Sequence, residues 1–156
     1  MWRWVSFLLA LCLAGGLACS ILDSRSRSCS LCGRPLHAKT YSEIDSRDGR
    51  THQVCCPRCV LHDQASRTDP SASRVADYYS KKLIGAEEAF FVENSSFHPC
   101  SSHDSKRDSS GTAYAVSWDR CMPSLVAFAS LEAAKRFRRE KGGVIKSYQA
   151  LLRASQ

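Results

Sequence analysis

Two Cys-x-x-Cys pairs, Cys29-Ser-Leu-Cys32 and Cys56-Pro-Arg-Cys59, stand 23 residues apart (33 to 55) in a chain of 156 residues. A pair at this spacing turns back on itself so that both sulfurs face one ion, and two such pairs approximate the zinc-ribbon arrangement. Gly33, directly after the first pair, suits the tight turn of such a knuckle, because glycine enters the left-handed region without steric cost. Tetrahedral thiolate coordination fits zinc, and the same sulfurs hold Cu(I) at lower coordination number. Two other readings of the sulfur stay open. One is a disulfide in an oxidising compartment. The other is a thiol-disulfide oxidoreductase using Cys56 and Cys59, since a strand running into Cys-Pro-x-Cys at a helix N-terminus places a thiol where the helix dipole favours thiolate. A hairpin rather than a βαβ unit before Cys56, and a second Cys-x-x-Cys nearby, weigh against redox catalysis.

The residues around the pairs predict an α+β fold of two tandem ββαβ-like units, with the cysteine-rich knuckle in the first. Residues 37–45 alternate as a strand, Asp48-Gly49 is a hairpin signal, and residues 51–56 form a second strand. Pro57 fits the first position of a short helix that continues through "RCVLHDQA". "SRTDPSAS" breaks it, and residues 73–80 read as a third strand. In the second half, residues 86–96, 112–118 and 123–130 carry strand composition, and a Ser-rich polar loop follows the first of these. The clearest helix starts at Ser130 as its cap, with Glu132 in its first turn and Leu131, Ala134 and Phe137 on one face, and Gly142-Gly143 stops it. Its basic run "KRFRREK" reads as a solvated face. "VIKSYQALL" (144–152) resumes as a strand.

The N-terminus points to export. "MWRW" carries Arg3, and a short apolar run ending in small residues follows. This is the pattern of a signal peptide, below the ~18 apolar residues that a membrane span needs. "GLAC" at Cys19 is similar to a bacterial lipobox, although Gly16 stands where that motif has Leu, so lipid anchoring and release of a soluble protein are both open. The expected layout is therefore a signal peptide, of the plain or the lipoprotein type, over 1–19, a flexible leader over 20–28, a first unit over 29–80 and a second over 81–156. Export removes Arg3 and lowers the formal charge from +7 to +6 (7 − 1), a modest excess compatible with an anionic membrane surface, but an exported chain is not expected to meet nucleic acid.

The stretches "CSLCGRPLHAKTYSEIDSRDGRTHQVCCPRC", "VADYYSKKLIGAEEAFFVENSS" and "CMPSLVAFASLEAAKRFRREKGGVIKSYQALL" together resemble the NosL family over residues 29 to 152. NosL proteins are exported, copper-binding accessory proteins of nitrous oxide reductase, often lipoproteins. The resemblance implies two related ββαβ units, Cu(I) binding, and delivery to a metalloenzyme recipient similar to nitrous oxide reductase or to its maturation machinery, in the periplasm. It also implies that Met122 is a thioether ligand, beside Cys121. Where the family usually has a Met after the knuckle glycine, this chain has Arg34, and "CCPRC" is not part of the usual pattern. Such a cysteine-rich variant could hold zinc structurally and recruit a protein partner instead of transferring copper.

The expected core ligands are Cys29, Cys32, Cys56 and Cys59, with Cys121 and Met122 able to complete a soft site. His62 lies three residues after Cys59 on the same helical face, which opens a Cys₃His option against an exposed helix residue. Strand alternation sends Cys55 away from Cys56, making it either core or an alternate ligand. His37 and His52 sit on the hairpin near the pairs, and "HPCSSH" places His98, Cys100 and His103 in the polar loop. Cys100 and Cys121 could instead bridge as a disulfide. Outside the cysteines there is no convergent set of nucleophile and base and no cofactor fingerprint, so no enzyme is expected.

Overall fold

The computed structural model describes residues 28–68, 71–100, 106–107, 110, 113–114 and 121–155. The expected signal peptide, Cys19 and His103 lie outside these residues, as does most of the Ser-rich loop.

Strands β1 (Ser42–Asp45) and β2 (Thr51–Val54) form an antiparallel hairpin in which Ser42 faces Val54 and Asp45 faces Thr51. Gly49 turns it with φ of +77°, and the Asp48 carboxylate accepts from the Arg50 amide at 3.2 Å, as an Asp-Gly turn requires. Helix α1 (Pro57–Ala65) begins at the proline and ends at Ser66. Strand β3 (Ser73–Ala76) then pairs with β1, and β4 (Leu83–Gly85) pairs with β3, giving the order β2-β1-β3-β4.

The second unit repeats this path. Strand β5 (Phe90–Glu93) is central, β8 (Leu125–Phe128) lies on one side, helix α2 (Leu131–Lys141) follows, and β9 (Val144–Ser147) returns to the other side. A small hairpin of β6 (Lys106–Arg107) and β7 (Ala113–Tyr114) interrupts it between β5 and β8. The sheet order β8-β5-β9 matches β2-β1-β3, and in both units two residues separate the second strand from the helix. Those residues are Cys55-Cys56 in the first unit and Ala129-Ser130 in the second. Ser130 caps α2 by accepting from the Ala133 amide at 3.2 Å, whereas Cys56 makes no side-chain cap. The first unit thus gives up a helix cap at a place where it carries sulfur.

Every residue of β8 is buried because the second sheet is covered on both faces. Val92, Val126 and Phe128 pack with Ala134 and Phe137 of α2, while Phe91, Leu125 and Ala127 join the core of the first unit. The outer side of α2 is exposed, so the basic run is solvated as expected. Asp77 joins the sheets: its carboxylate accepts from the Ala129 amide at 2.9 Å and the Ser80 amide at 2.7 Å, and Tyr78 donates to the Ala127 carbonyl at 3.0 Å.

Several expected boundaries change. Residues 37–41 form a turn, in which the His37 carbonyl accepts from Thr40 and Tyr41, so the first strand begins only at Ser42. The second strand stops at Val54, freeing Cys55 and Cys56 from the pleat. The third ends at Ala76, because the Asp77 side chain closes a turn that runs into Lys81 at φ of +62°. Residues 86–88 are a 3₁₀ turn rather than strand. The expected strand over 144–152 divides into β9 and helix α3 (Tyr148–Ser155), because Tyr148 and Leu151 are buried at helical spacing against the first unit's core. Strand β4 was not anticipated, since three residues carry too little pattern.

Candidate metal centre

Four separate segments deliver the sulfur. The first is the knuckle at residues 29–34, where the Cys29 amide donates to the Arg34 carbonyl at 2.7 Å and the Gly33 amide to the Cys29 carbonyl at 2.8 Å. Gly33 has φ of +72°, the conformation that closes the turn, and the Ser30 amide donates to the Gln53 carbonyl, pinning the knuckle to β2. The second segment is the β2–α1 junction with Cys55, Cys56 and, one turn into the helix, Cys59. The third is the loop after β5, which carries Cys100. The fourth is the approach to β8, which carries Cys121.

None of the seven described cysteines is in a disulfide, and all but Cys32 are buried. The alternative of a Cys100–Cys121 disulfide is therefore not formed. Sulfur–sulfur distances are 3.9 Å for Cys29–Cys59, 3.5 Å for Cys32–Cys55, 4.0 Å for Cys32–Cys59 and 3.7 Å for Cys55–Cys59. Cys55 lies 3.8 Å from Cys56 and 3.6 Å from Cys121. Thiolate bonds of ~2.3 Å in a tetrahedron imply sulfur edges of about 3.8 Å, so the cluster already has the size of a metal-thiolate site. Two sets of four have all their sulfurs within 4.8 Å of one another: Cys29, Cys32, Cys55 and Cys59, and Cys55, Cys56, Cys59 and Cys121.

The expected core set of Cys29, Cys32, Cys56 and Cys59 is thus distributed over two groups, and Cys55 belongs to both. Once β2 ends at Val54, strand alternation no longer governs where Cys55 points. Cys100 sits at the edge of the cluster: its thiol donates to the Cys55 carbonyl at 3.4 Å, and the Thr40 hydroxyl donates to the same oxygen at 3.1 Å. His62 is exposed on α1 and in neither set, and Met122 is 38% exposed beside buried Cys121. His37 and His52 are half-buried and also in neither set. His98 lines a cleft with Cys56, Cys100 and Cys121.

Ionisation is uneven across the cluster. Cys29, Cys56 and Cys121 are held below the ordinary thiol range, chiefly by hydrogen bonds with Cys55 for Cys29 and with Cys100 for the other two. Cys55, Cys59 and Cys100 are pushed up, first by the hydrogen bonds to Cys100, Cys121 and Cys121 respectively, with burial adding to each. Cys32 is raised chiefly by burial. Neighbouring sulfurs share protons in this way because seven thiolates cannot be packed together without cations among them.

Arg58, on the turn of α1 between Cys56 and Cys59, fastens the fourth segment. Its Nε donates to the Pro123 carbonyl at 3.1 Å and its terminal nitrogen meets Glu93 at 2.7 Å, while Lys146 meets the other Glu93 oxygen. Ser124 adds a bond to the Ser95 carbonyl at 2.9 Å. Sequence reasoning missed Arg58, Thr40 and the central place of Cys55. The one available signal was the adjacency of Cys55 to a proline-started helix, where a strand must end.

No family model matches the chain. The chain is 21% identical over 141 residues to the HTH-type transcriptional repressor CutR of Bacillus subtilis (strain 168), a match over 89% of this chain and 64% of that protein. It therefore spans less than two thirds of the length of this curated relative. Among solved structures it is similar to the copper chaperone NosL from Shewanella denitrificans, with a TM-score of 0.56 and 16% identity, over 83% of this chain and 92% of that one. At this identity the two share a fold.

Proposed function

We propose that this chain is a non-enzymatic metal-binding accessory protein that takes up a soft ion, Cu(I), on cysteine thiolates and passes it to a recipient. The carrying observation is the convergence of six thiols from three segments, at metal-ligand spacing, in a fold shared with a copper chaperone. Thiolate-rich sets select soft ions over hard ones, which need oxygen donors. Cys32, the half-buried member, offers the outward ligand through which an ion can be exchanged. The recipient is inferred to be a periplasmic metalloenzyme similar to nitrous oxide reductase, or its maturation machinery, and export with optional lipid anchoring belongs to the same reading.

Elemental analysis of protein purified without added metal, beside a Cys55→Ser/Cys59→Ser variant, tests metal binding. Both sets lose two ligands in that variant, so metal content should fall to background, and unchanged content would sink the proposal. A second reading, a structural zinc module, is favoured by sulfur edges close to the tetrahedral value. Competition with a Cu(I) chelator decides between them: a carrier withholds Cu(I) from a weak chelator and yields it to a strong one, whereas a zinc module is isolated holding zinc and no copper.

A further inference from the structure

We infer that the cluster binds two Cu(I) ions at once, bridged by the sulfurs of Cys55 and Cys59. This rests on the metal-binding reading above and deepens it. The two four-thiol sets are not alternatives drawn from one shell: they have Cys55 and Cys59 in common and differ in Cys29 and Cys32 on one side, Cys56 and Cys121 on the other. Six sulfurs arranged as two tetrahedra sharing the 3.7 Å Cys55–Cys59 edge have one ion position in each. A thiolate sulfur has lone pairs enough to bind two ions, whereas an imidazole nitrogen has one, so a shared edge is chemistry that a cysteine-only cluster allows.

Charge favours sharing the two sulfurs. Six thiolates around two monovalent ions leave less uncompensated charge per ion than four thiolates around one, and uncompensated buried charge is unfavourable. Each ion displaces the protons of the thiols it binds, which leave to solvent, and no electron changes hands. The two positions also have separate approaches. Half-buried Cys32 opens the first, and the cleft lined by Cys56, Cys100, Cys121 and His98 reaches the second. The Cys55 carbonyl, held by Thr40 and Cys100, keeps the bridging residue turned toward both.

The test is an anaerobic titration of the reduced full chain with Cu(I) against a chromophoric Cu(I) chelator, with X-ray absorption at saturation. The wild type should withhold two ions per chain and show metal–metal scattering below about 3 Å, given thiolate bonds of ~2.3 Å. Cys29→Ser/Cys32→Ser and Cys56→Ser/Cys121→Ser should each hold one ion and lose that scattering. Saturation of the wild type at one ion, or at any number other than two, overturns the bridged pair and leaves the metal-binding reading standing. Two ions without metal–metal scattering also overturn it. No retained Cu(I) at all refutes both. Because the wild-type stoichiometry and scattering are decisive alone, a variant that fails to fold does not remove the test.

Discussion

Replacing Arg58 by Met isolates the clamp that holds the Cys121 segment against α1. The Arg58 side chain is 9% exposed and Glu93 15%. Removing one partner of a buried pair costs ~3–5 kcal/mol when the other is left uncompensated. Here Glu93 keeps Lys146, which places the loss at the low end, while the surrendered bond to the Pro123 carbonyl adds back part of the difference. About 3 kcal/mol is the expected destabilisation, equivalent to roughly 6–12 °C in Tm for a chain of this length. Urea denaturation at pH 7 measures it, and the Arg58→Met/Glu93→Gln double variant should lose less than the sum of the single changes, by ~1 kcal/mol or more. The sign with pH follows from Glu93. Burial pushes its carboxyl up, but bonds from Arg58 and Lys146 outweigh this and hold it below the ordinary range. A lowered folded pKa contributes stability that is complete above the unfolded value of ~4.3 and lost as pH falls through the lowered one. The gap between wild type and Arg58→Met should therefore be full at neutral pH and shrink below about pH 4. A loss under about 1 kcal/mol at pH 7, or a gap that widens in acid, would refute the clamp.

Gly143 and Gly142 make a contrasting pair. A Cβ on Gly143 would stand 2.6 Å from the Glu93 carbonyl and 2.8 Å from a Val92 methyl, at φ of +94°, whereas one on Gly142 meets nothing within 4 Å. Gly143→Ala should cost ~2–3 kcal/mol and Gly142→Ala about 1 kcal/mol, the latter from backbone conformation alone, and equal urea midpoints for the two would contradict the β5–β9 packing. Asp77→Asn leaves a single carboxamide oxygen for two amides and should cost ~1–3 kcal/mol in chemical denaturation at pH 7. Burial raises the Asp77 carboxyl, and bonds from Ser80 and Ala129 more than reverse this. The difference from wild type should persist above the ordinary carboxylate range and fade as pH drops through the lowered value, so a difference that grows in acid would contradict it.

Much of the path was legible where the signals are local. Asp48-Gly49 marks its hairpin because few residues tolerate the turn, Pro57 starts α1, and Ser130 with Gly142 brackets α2. The repeated ββαβ order followed from the same marks. Harder cases share one cause. Tyr148 and Leu151 fit either a strand or a helix by composition, and only the buried surface beneath them selects α3. Tyr78 and Tyr79 look like strand residues, yet the Asp77 turn carries Tyr78 onto Phe97 and Phe137. Short strands such as β4 exist because a neighbour offers an edge.

The same division runs through the cysteine cluster. Local chain chemistry is legible residue by residue: soft sulfur side chains, two knuckle spacings, a glycine where the first must turn and a proline where the helix must start, all properties of a few adjacent residues. Which thiols lie within reach of one another was decided by how the two sheets pack. Cys55 and Cys121, 66 residues apart, come within 3.6 Å only because β8 pairs with β5 and the second sheet packs on α1. Ligand identity is carried by each side chain, but ligand grouping depends on the register of strands far apart in the chain, and no local spacing encodes that register.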